Sequence, residues 1–226
     1  MKIDYRDVVF STLALLLNLG ITLALLAPAA PLERLTGRLY PLALALVFLL
    51  AYGLVAATYL RLLTRLYPFR EGSYSFGDPQ FTLWKHCAMV GGLARAALSP
   101  LNLAMSRVLL YRLLGAEVGT HVVIGKTNIT DPRLTCLDDL CTVGDGSILA
   151  AHAITLDRFM IRPLRVGRGA TVGGGAVLLP GSDIGAGSVV AALSRVNPGT
   201  AVPLGALWDG IPAVRIRDLR PSVRPE

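Results

Sequence analysis

The sequence predicts a mainly β fold, a parallel β-helix of six-residue repeats, preceded by two transmembrane helices and an amphipathic helical segment. Two uncharged apolar runs occupy the first third of the chain, and a stretch of helical periodicity follows them. Late in the chain, aliphatic residues recur at every sixth position. We expect a two-span hairpin over residues 1–67, a linker with amphipathic helices over 68–113, the repeat domain over 114–207, and a cap with a basic tail over 208–226.

The composition argues against an ordinary water-soluble protein. Of the 226 residues, 53% are hydrophobic and only 16% are charged, whereas about a quarter is usual in soluble domains. The net charge of +7 fits basic residues that flank membrane spans. No basic stripe is interleaved with stacking aromatic residues, so nucleic acid is not an expected partner. The three cysteines match neither a disulfide framework nor a zinc site.

Two uncharged apolar runs predict membrane spans. The first, Val8 to Ala27, holds twenty residues, which cover a hydrocarbon core of about 30 Å at roughly 1.5 Å per residue. The second extends from Leu39 to about Leu60. A signal peptide is the alternative for the first run, but the amino terminus lacks a clearly positive segment.

Basic residues outside the two runs predict the orientation. They precede the first run, follow the second, and are fewer in the loop between them. We therefore expect a multi-pass protein of a bacterial-type inner membrane, with both ends in the cytoplasm. The repeat domain would then lie on the cytoplasmic side. These residues are Lys2 and Arg6 before the spans, Arg61, Arg65, Arg70 and Lys85 after them, and Arg34 and Arg38 in the loop.

The stretch from Phe81 to Leu114 has helical periodicity, divided at Pro100. Its charged residues are too frequent for a third span. Two placements remain open from the sequence: an interfacial pair of amphipathic helices, or a helical cap packed on the following domain.

The second half of the chain is a repeat of period six, the strongest signal in the sequence. Seven aliphatic residues follow one another at this spacing. The third residue after each is Gly in six cases of seven, and the fourth is always small. The aliphatic residues are Val166, Val172, Leu178, Ile184, Val190, Val196 and Val202.

The same register continues upstream with two slips. Val118 and Ile124 are six apart, but thirteen residues separate Ile124 from Leu137, and seventeen separate Leu149 from Val166. Each repeat supplies a short strand and a corner, and three make one triangular coil with its aliphatic residues inside. Stacked coils bury a continuous apolar column, and the slips predict loops or altered corners.

Two later stretches carry a family resemblance. The sequence from Val190 to Val196 and that from Trp208 to Ala213 resemble the last coil and its Gly-x-Pro-Ala ending in hexapeptide-repeat acyltransferases. That family folds as left-handed parallel β-helices, so the resemblance, not the period, implies the handedness. It also implies acetyl- or acyl-coenzyme A as donor, no metal, and a homotrimer with active sites between subunits.

A second resemblance concerns the combination of spans and repeats. It is similar to the carboxy-terminal region of poly-amino-acid synthetases of the ε-poly-lysine type, where such units are thought to join aminoacyl thioesters. A condensation-type reaction on carrier-tethered thioesters is therefore the alternative function.

Acyl transfer needs a base near the nucleophile, and histidine suits this role because its ordinary pKa lies near neutral. His121 and His152 both take the third place after an aliphatic residue, where later repeats have Gly. We expect His152, next to the second slip, to be the catalytic base, with His121 as the alternative and His86 as structural. A carboxylate could orient the ring. The sequence leaves four candidates open: Asp131, Asp138, Asp139 and Asp157.

The donor site is expected near the carboxy terminus. Trp208 could cover a pantetheine arm, or it could only cap the coil. Arg215 and Arg217 begin a basic tail that continues to Arg224. It would suit coenzyme A phosphates or anionic lipid headgroups, with a solvated tail as the alternative.

Two other classes of protein fit the sequence less well. A γ-type carbonic anhydrase would need three histidine ligands, including a close pair, but His121 and His152 are thirty-one residues apart. A non-catalytic membrane scaffold would tolerate replacement of His152. The sequence thus favours a membrane-anchored acyltransferase that acts on a glycan, a lipid-linked molecule or an amine.

Overall fold

The computed structural model describes residues 5–27, 30–104 and 106–219. These residues form two compact units. The first holds the described residues up to Phe69 together with Pro79–Asn102, and the second holds Arg70–Asp78 and the described residues from Leu103 onward. The stretch 68–113, expected from sequence as one linker segment, is divided between the two.

The first unit is helical. Its helices are α1 (Tyr5–Leu26), α2 (Ala30–Thr36), α3 (Tyr40–Leu66) and α4 (Pro79–Ala97). The segments Val8–Leu26 and Glu33–Leu66, each with a mean hydropathy of 2.2, are long and apolar enough to cross a membrane. They qualify as candidate spans by length and composition alone.

Small residues allow α3 and α4 to pack closely. Ala56 and Ala57 are buried, and a Cβ on Gly53 would lie 2.4 Å from Leu98 Cγ. Between α1 and α3, Asn18 of α1 is buried and its Nδ2 donates to Tyr52 O of α3 at 3.5 Å. Close approach through small residues and polar contacts between helices are the usual means of holding apolar helices together.

The second unit consists of one short helix and many short strands. The helix is α5 (Arg107–Leu113). The strands are β1 (Gly72–Tyr74), β2 (Glu117–Val118), β3 (Val123–Ile124), β4 (Asn128–Ile129), β5 (Thr135–Leu137), β6 (Thr142–Val143), β7 (Ile148–Leu149), β8 (His152–Ile154), β9 (Phe159–Ile161), β10 (Leu164–Val166), β11 (Thr171–Val172), β12 (Val177–Leu178), β13 (Asp183–Ile184), β14 (Val189–Val190), β15 (Arg195–Val196), β16 (Ala201–Val202), β17 (Ala206–Gly210) and β18 (Ala213–Asp218).

The chain adds strands to three parallel sheets in rotation. The first sheet has the order β2-β5-β10-β13-β16, the second β3-β6-β11-β14-β17, and the third β4-β7-β12-β15. One turn of the chain therefore adds one strand to each sheet, as three hexapeptides per coil predict. β18 pairs antiparallel with β17 and ends the second sheet. We call residues 117–218 the coiled domain.

The period of six is visible in burial. The aliphatic residues from Val166 to Val196 that follow this period are 0% exposed, and Val202 is 3% exposed. The corner glycines of the later coils have φ between 63° and 75°, a left-handed conformation that Gly adopts without the steric cost a Cβ would bring. The apolar column and the glycine corners both follow from the predicted repeat.

The two slips correspond to two departures from the coil. The thirteen-residue spacing contains a single 3-10 turn at Pro132–Leu134. The seventeen-residue spacing contains the antiparallel pair β8 and β9, and β1 pairs antiparallel with β9 to complete a three-stranded sheet. The chain therefore leaves the third sheet after β7 and rejoins the first sheet at β10.

Helix α5 caps the first coil. Arg107 Nη1 donates to Ile124 O at 3.2 Å, and the Tyr111 hydroxyl donates to Thr127 O at 2.8 Å. Arg112 Nη2 donates to Val118 O at 2.7 Å. These carbonyls belong to the first coil, so the last part of the stretch Phe81–Leu114 packs on the following domain. The larger part, α4, belongs instead to the helical unit.

Candidate active site

His152 lies where the chain departs from the coil. It takes the third place after Leu149, the place at which the later coils turn through a left-handed corner. His152 does not form such a corner, because it is the first residue of β8 and its φ is not positive. Its side chain is therefore carried on an extended strand beside the coil.

A carboxylate holds one nitrogen of the His152 ring. Asp131 Oδ2 lies 2.6 Å from His152 Nδ1, and the two side chains are 10% and 21% exposed. The same oxygen accepts hydrogen bonds from the Thr130 hydroxyl at 2.7 Å and from the Ala151 amide at 3.2 Å. An ionised carboxylate only accepts, so with Asp131 ionised the hydrogen bond is donated by the Nδ1–H of His152.

The two slips bring this pair together. Asp131 directly precedes the 3-10 turn in the thirteen-residue slip, and His152 opens the hairpin in the seventeen-residue slip. The residues are twenty-one apart in sequence but belong to adjacent coils, because β4 and β7 are neighbours in the third sheet.

An aromatic ring backs the histidine. The Phe159 and His152 ring centroids are 6.3 Å apart with an interplanar angle of 31°. Phe159 is 0% exposed and lies on β9, paired with Ile154. This apolar wall limits water on one side of the ring and strengthens the electrostatic interaction between His152 and Asp131.

The other three candidate carboxylates are engaged elsewhere. Asp138 Oδ2 accepts from Arg165 Nη2 at 2.7 Å. Asp139 Oδ1 accepts from the Thr120 amide at 2.7 Å and from its hydroxyl at 2.9 Å. Asp157 is 81% exposed. The structure therefore distinguishes Asp131 from residues that the sequence could not separate.

His121 is an exposed corner residue with φ of 53°. It has the left-handed conformation that later coils assign to Gly. The carboxylate it lies near is Asp139, which is not the carboxylate that holds His152. The two histidines with the same place in the repeat thus differ in backbone conformation and in surroundings.

His86 belongs to the helical unit. Its Nε2 lies 2.8 Å from the Tyr59 hydroxyl, and burial lowers the pKa of its ring. This packing fits the structural role expected for His86.

The two cysteines of the coiled domain carry strongly raised pKa values. Burial, followed by a hydrogen bond to Asp138, raises the pKa of Cys136 to about 11. Burial, followed by the charge of Asp138, raises the pKa of Cys141 to about 12. Thiols in this state are poor nucleophiles at neutral pH.

The expected donor-site residues lie on the hairpin of β17 and β18. Trp208 pairs with Val190 on one side and Arg215 on the other. Its Nε1 is buried and makes no hydrogen bond within the described chain. Arg215 forms an ion pair with Asp218, whose hydrogen bond raises the pKa of Arg215.

Arg217 is exposed and faces Leu207. Arg224, the end of the expected basic tail, lies outside the described residues. The hairpin belongs to the second sheet, whereas the chain leaves the third sheet after β7, just before His152 and three coils lower. Within a single chain, the expected catalytic base and the expected donor residues therefore lie at different sheets.

No group of three His, Cys, Asp or Glu residues that could hold a metal ion occurs in residues 5–27, 30–104 and 106–219.

Comparison with curated proteins finds two partial likenesses. The chain is 29% identical over 122 residues to delta-poly-L-ornithine synthetase of Acinetobacter baumannii (strain AB307-0294), covering 53% of this chain and 9% of that protein. It is 35% identical over 101 residues to gamma carbonic anhydrase 2, mitochondrial, of Arabidopsis thaliana, covering 44% of this chain and 32% of that protein. Both matches therefore span well under half of the relative's own length.

The solved structures that match part of this chain include hexapeptide-repeat acetyltransferases. One, from Vibrio cholerae O1 biovar eltor, was crystallised with acetyl coenzyme A. It is 21% identical, matches 65% of this chain and 93% of its own, and gives a TM-score of 0.49. No protein-family model matches the chain.

Proposed function

We propose that this chain is a membrane-anchored acyltransferase in which His152 is the general base and Asp131 orients it. The observation that carries the proposal is the 2.6 Å contact between His152 Nδ1 and Asp131 Oδ2, formed at the point where the chain leaves the coil. A histidine held by a carboxylate on one nitrogen has the arrangement that general-base catalysis requires.

The chemistry follows from the tautomer. With the proton on Nδ1, Nε2 removes a proton from the hydroxyl or amine of the acceptor as its oxygen or nitrogen attacks the thioester carbonyl. The tetrahedral intermediate then collapses, the carbon–sulfur bond breaks, and the leaving thiolate takes the proton from the imidazolium. Asp131 stabilises the positive charge on the ring between these two steps.

The donor is an acyl-coenzyme A, with acetyl-coenzyme A the simplest case. This part rests on the resemblance of the repeats, which also implies a left-handed coil and a homotrimer. Because the β17–β18 hairpin and His152 lie on different sheets of one chain, Trp208, Arg215 and Arg217 would meet the base of a neighbouring subunit. A site shared between subunits accommodates the separation of these residues in the single chain.

The two apolar helices of the first unit support a membrane anchor. Their length and hydropathy suit spans in an inner-membrane protein with its coiled domain in the cytoplasm. The acceptor is then a molecule available at the membrane surface: a glycan, a lipid-linked molecule or an amine.

Thioester turnover tests the proposal. The full chain in detergent is supplied with acetyl-coenzyme A and pooled sugar and amine acceptors, and thiol release is followed. We expect acceptor-dependent release that falls about 100-fold or more in His152→Ala, the usual contribution of a general base. His121→Ala, at the same place in the repeat, is the matched control and should retain activity. Undiminished release by His152→Ala would refute the role of this histidine.

A second candidate is supported by the likeness to delta-poly-L-ornithine synthetase. In this case the same base activates an amine that attacks a carrier-tethered aminoacyl thioester. Release from an aminoacyl phosphopantetheine thioester, with none from acetyl-coenzyme A, would favour this condensation reaction. No release from either donor, together with no binding of coenzyme A, would favour a scaffold.

A further inference from the structure

The corners between the third and first sheets form a column. His152, Gly181 and Gly199 each take the third place after a third-sheet aliphatic residue. Those aliphatic residues stack in register, Leu149 beneath Leu178 and Leu178 beneath Val196. His152 leaves the coil at the base of this column, and the two glycines, with φ of 75° and 69°, continue it above.

Arg162 lies along this column. A Cβ on Gly181 would lie 3.1 Å from Arg162 Cδ, and a Cβ on Gly199 would lie 3.2 Å from Arg162 Nη1. The arginine side chain therefore extends over both corners, in space that exists because neither corner has a side chain. Larger residues at either position would displace it.

The backbone couples Arg162 to the candidate base. Ile161, the preceding residue, pairs with His152, and the Arg162 amide donates to Ala151 O at 2.9 Å. The same short sheet that carries His152 thus also determines where the arginine side chain begins.

The guanidinium of Arg162 has no counter-ion within the described chain. Arg165 and Arg215 are each paired with an aspartate, whereas Arg162 is exposed and its guanidinium forms no ion pair or hydrogen bond among residues 5–27, 30–104 and 106–219. A cation that lies over two corners without side chains, and that has no ion-pair partner in the described part of the chain, is suited to bind an anionic group of a ligand.

We propose that Arg162 binds an acidic group, a phosphate or carboxylate, of the acceptor whose reacting hydroxyl or amine lies at His152. This inference rests on the proposed acyl transfer. Gly199 is two coils above the level of His152, and strands stack about 4.8 Å apart, so the guanidinium is on the order of 10 Å from the base. The phosphates of coenzyme A are separated from its thioester by the whole pantetheine arm, which is longer, so the separation favours the acceptor as the source of the anion.

Paired acceptors test the assignment. Glucosamine and glucosamine 6-phosphate are supplied to the full chain with acetyl-coenzyme A, and kcat and KM are measured. We expect Arg162→Ala to raise the KM for the phosphorylated sugar about tenfold, the usual effect of losing a charge-assisted hydrogen bond, with kcat and the KM for glucosamine unchanged. Arg162→Lys should fall between. Arg168→Ala, an exposed arginine at a different corner, is the matched control and should behave as wild type.

Two outcomes would overturn the assignment. A raised KM for acetyl-coenzyme A with an unchanged KM for acetyl-pantetheine would show that Arg162 binds the phosphates of the donor. Equal kinetics of Arg162→Ala and wild type toward both sugars would show that it binds no substrate anion.

A binding measurement separates this inference from the proposed function. Glucosamine 6-phosphate should raise the Tm of wild type and of Arg168→Ala but not of Arg162→Ala, because a ligand stabilises the folded state that binds it. If wild type turned over no thioester and this difference persisted, acyl transfer would be wrong and the anion site would stand. If Arg162→Ala were stabilised as strongly as wild type, the anion site would be refuted, whatever the turnover.

Discussion

The later coils, residues 164–202, and the earlier coils, residues 117–161, are built from the same repeat but differ in regularity. In the later coils the aliphatic residues follow at six without interruption and are nearly all fully buried. In the earlier coils the spacing slips twice, once into a 3-10 turn and once into the β8–β9 hairpin.

The proposed base and the carboxylate that holds it both lie in the earlier coils. Asp131 belongs to one slip and His152 to the other, and the 2.6 Å contact between them exists because both depart from the coil on adjacent turns. A regular repeat buries its aliphatic residues and closes its corners with small ones, so it offers no place for a catalytic side chain. The comparison indicates that the regular coils supply stability, whereas the slips supply the proposed base and its carboxylate.

The largest effect is expected at the slips. Asp131→Asn removes the charge that stabilises the imidazolium and should lower kcat by about 100-fold or more, as loss of the orienting carboxylate does in hydrolytic triads, while the Tm changes little. Asp157→Asn, which alters an 81% exposed carboxylate, is the control and should leave kcat unchanged. Thiol release and thermal unfolding measure the two quantities. An equal loss in both variants would argue against orientation by Asp131.

The second effect concerns the regular coils. Leu178 is 0% exposed in the third sheet, and Leu178→Ala should lower the free energy of unfolding by about 2–5 kcal/mol through lost burial and a cavity. Val177→Ala, at the half-buried neighbouring position that points outward, should cost less than about 1 kcal/mol. Circular dichroism during denaturation measures both. Similar losses would mean that the aliphatic column is not the stabilising element.

The third effect compares corners of the two regions. Gly187 has φ of 64° with no atom within 4 Å of an added Cβ. Gly187→Ala should therefore lower the free energy of unfolding by about 1–2 kcal/mol, from the backbone conformation alone. Leu140 lies at an earlier corner with φ of 61°, a conformation that Gly adopts more easily. Leu140→Gly should therefore raise the free energy of unfolding by up to about 1 kcal/mol. Thermal unfolding of both variants gives the signs. A stabilising Gly187→Ala would contradict the corner argument.

The smallest effect is a pH dependence in the first coils. Hydrogen bonds from the Thr120 amide and hydroxyl hold the pKa of Asp139 below its ordinary value. A carboxyl whose pKa is lowered by folding stabilises the protein above its unfolded pKa, near 3.9, and that stabilisation is lost as the pH falls through the folded value. The Tm of wild type should therefore decline below about pH 4 more steeply than that of Asp139→Asn. Parallel Tm curves from pH 6 to pH 2 would show that the carboxylate contributes nothing.

Part of the fold was predictable because its determinants are local. The period of six specifies which residues are buried. The glycine three places after most of the later aliphatic residues specifies the corners, since only a residue without a Cβ adopts that conformation freely. Hydropathy likewise predicted two long apolar helices, which the structure contains. His152 was predicted as a site residue from the slip beside it, although its place on a strand was not.

What the sequence by itself determined about this protein is its repeat: the buried aliphatic column, the small residues at the corners and the positions at which the period fails. Only the tertiary structure decided what those failures do. It selected Asp131 from four carboxylates, brought β1 beside β9 from far upstream, and placed α5 on the lowest coil and Arg162 over two corner glycines. These contacts join residues that are distant in sequence, and they depend on how many residues each slip adds to a coil. That register is set by packing between coils, and no local pattern of residues encodes it.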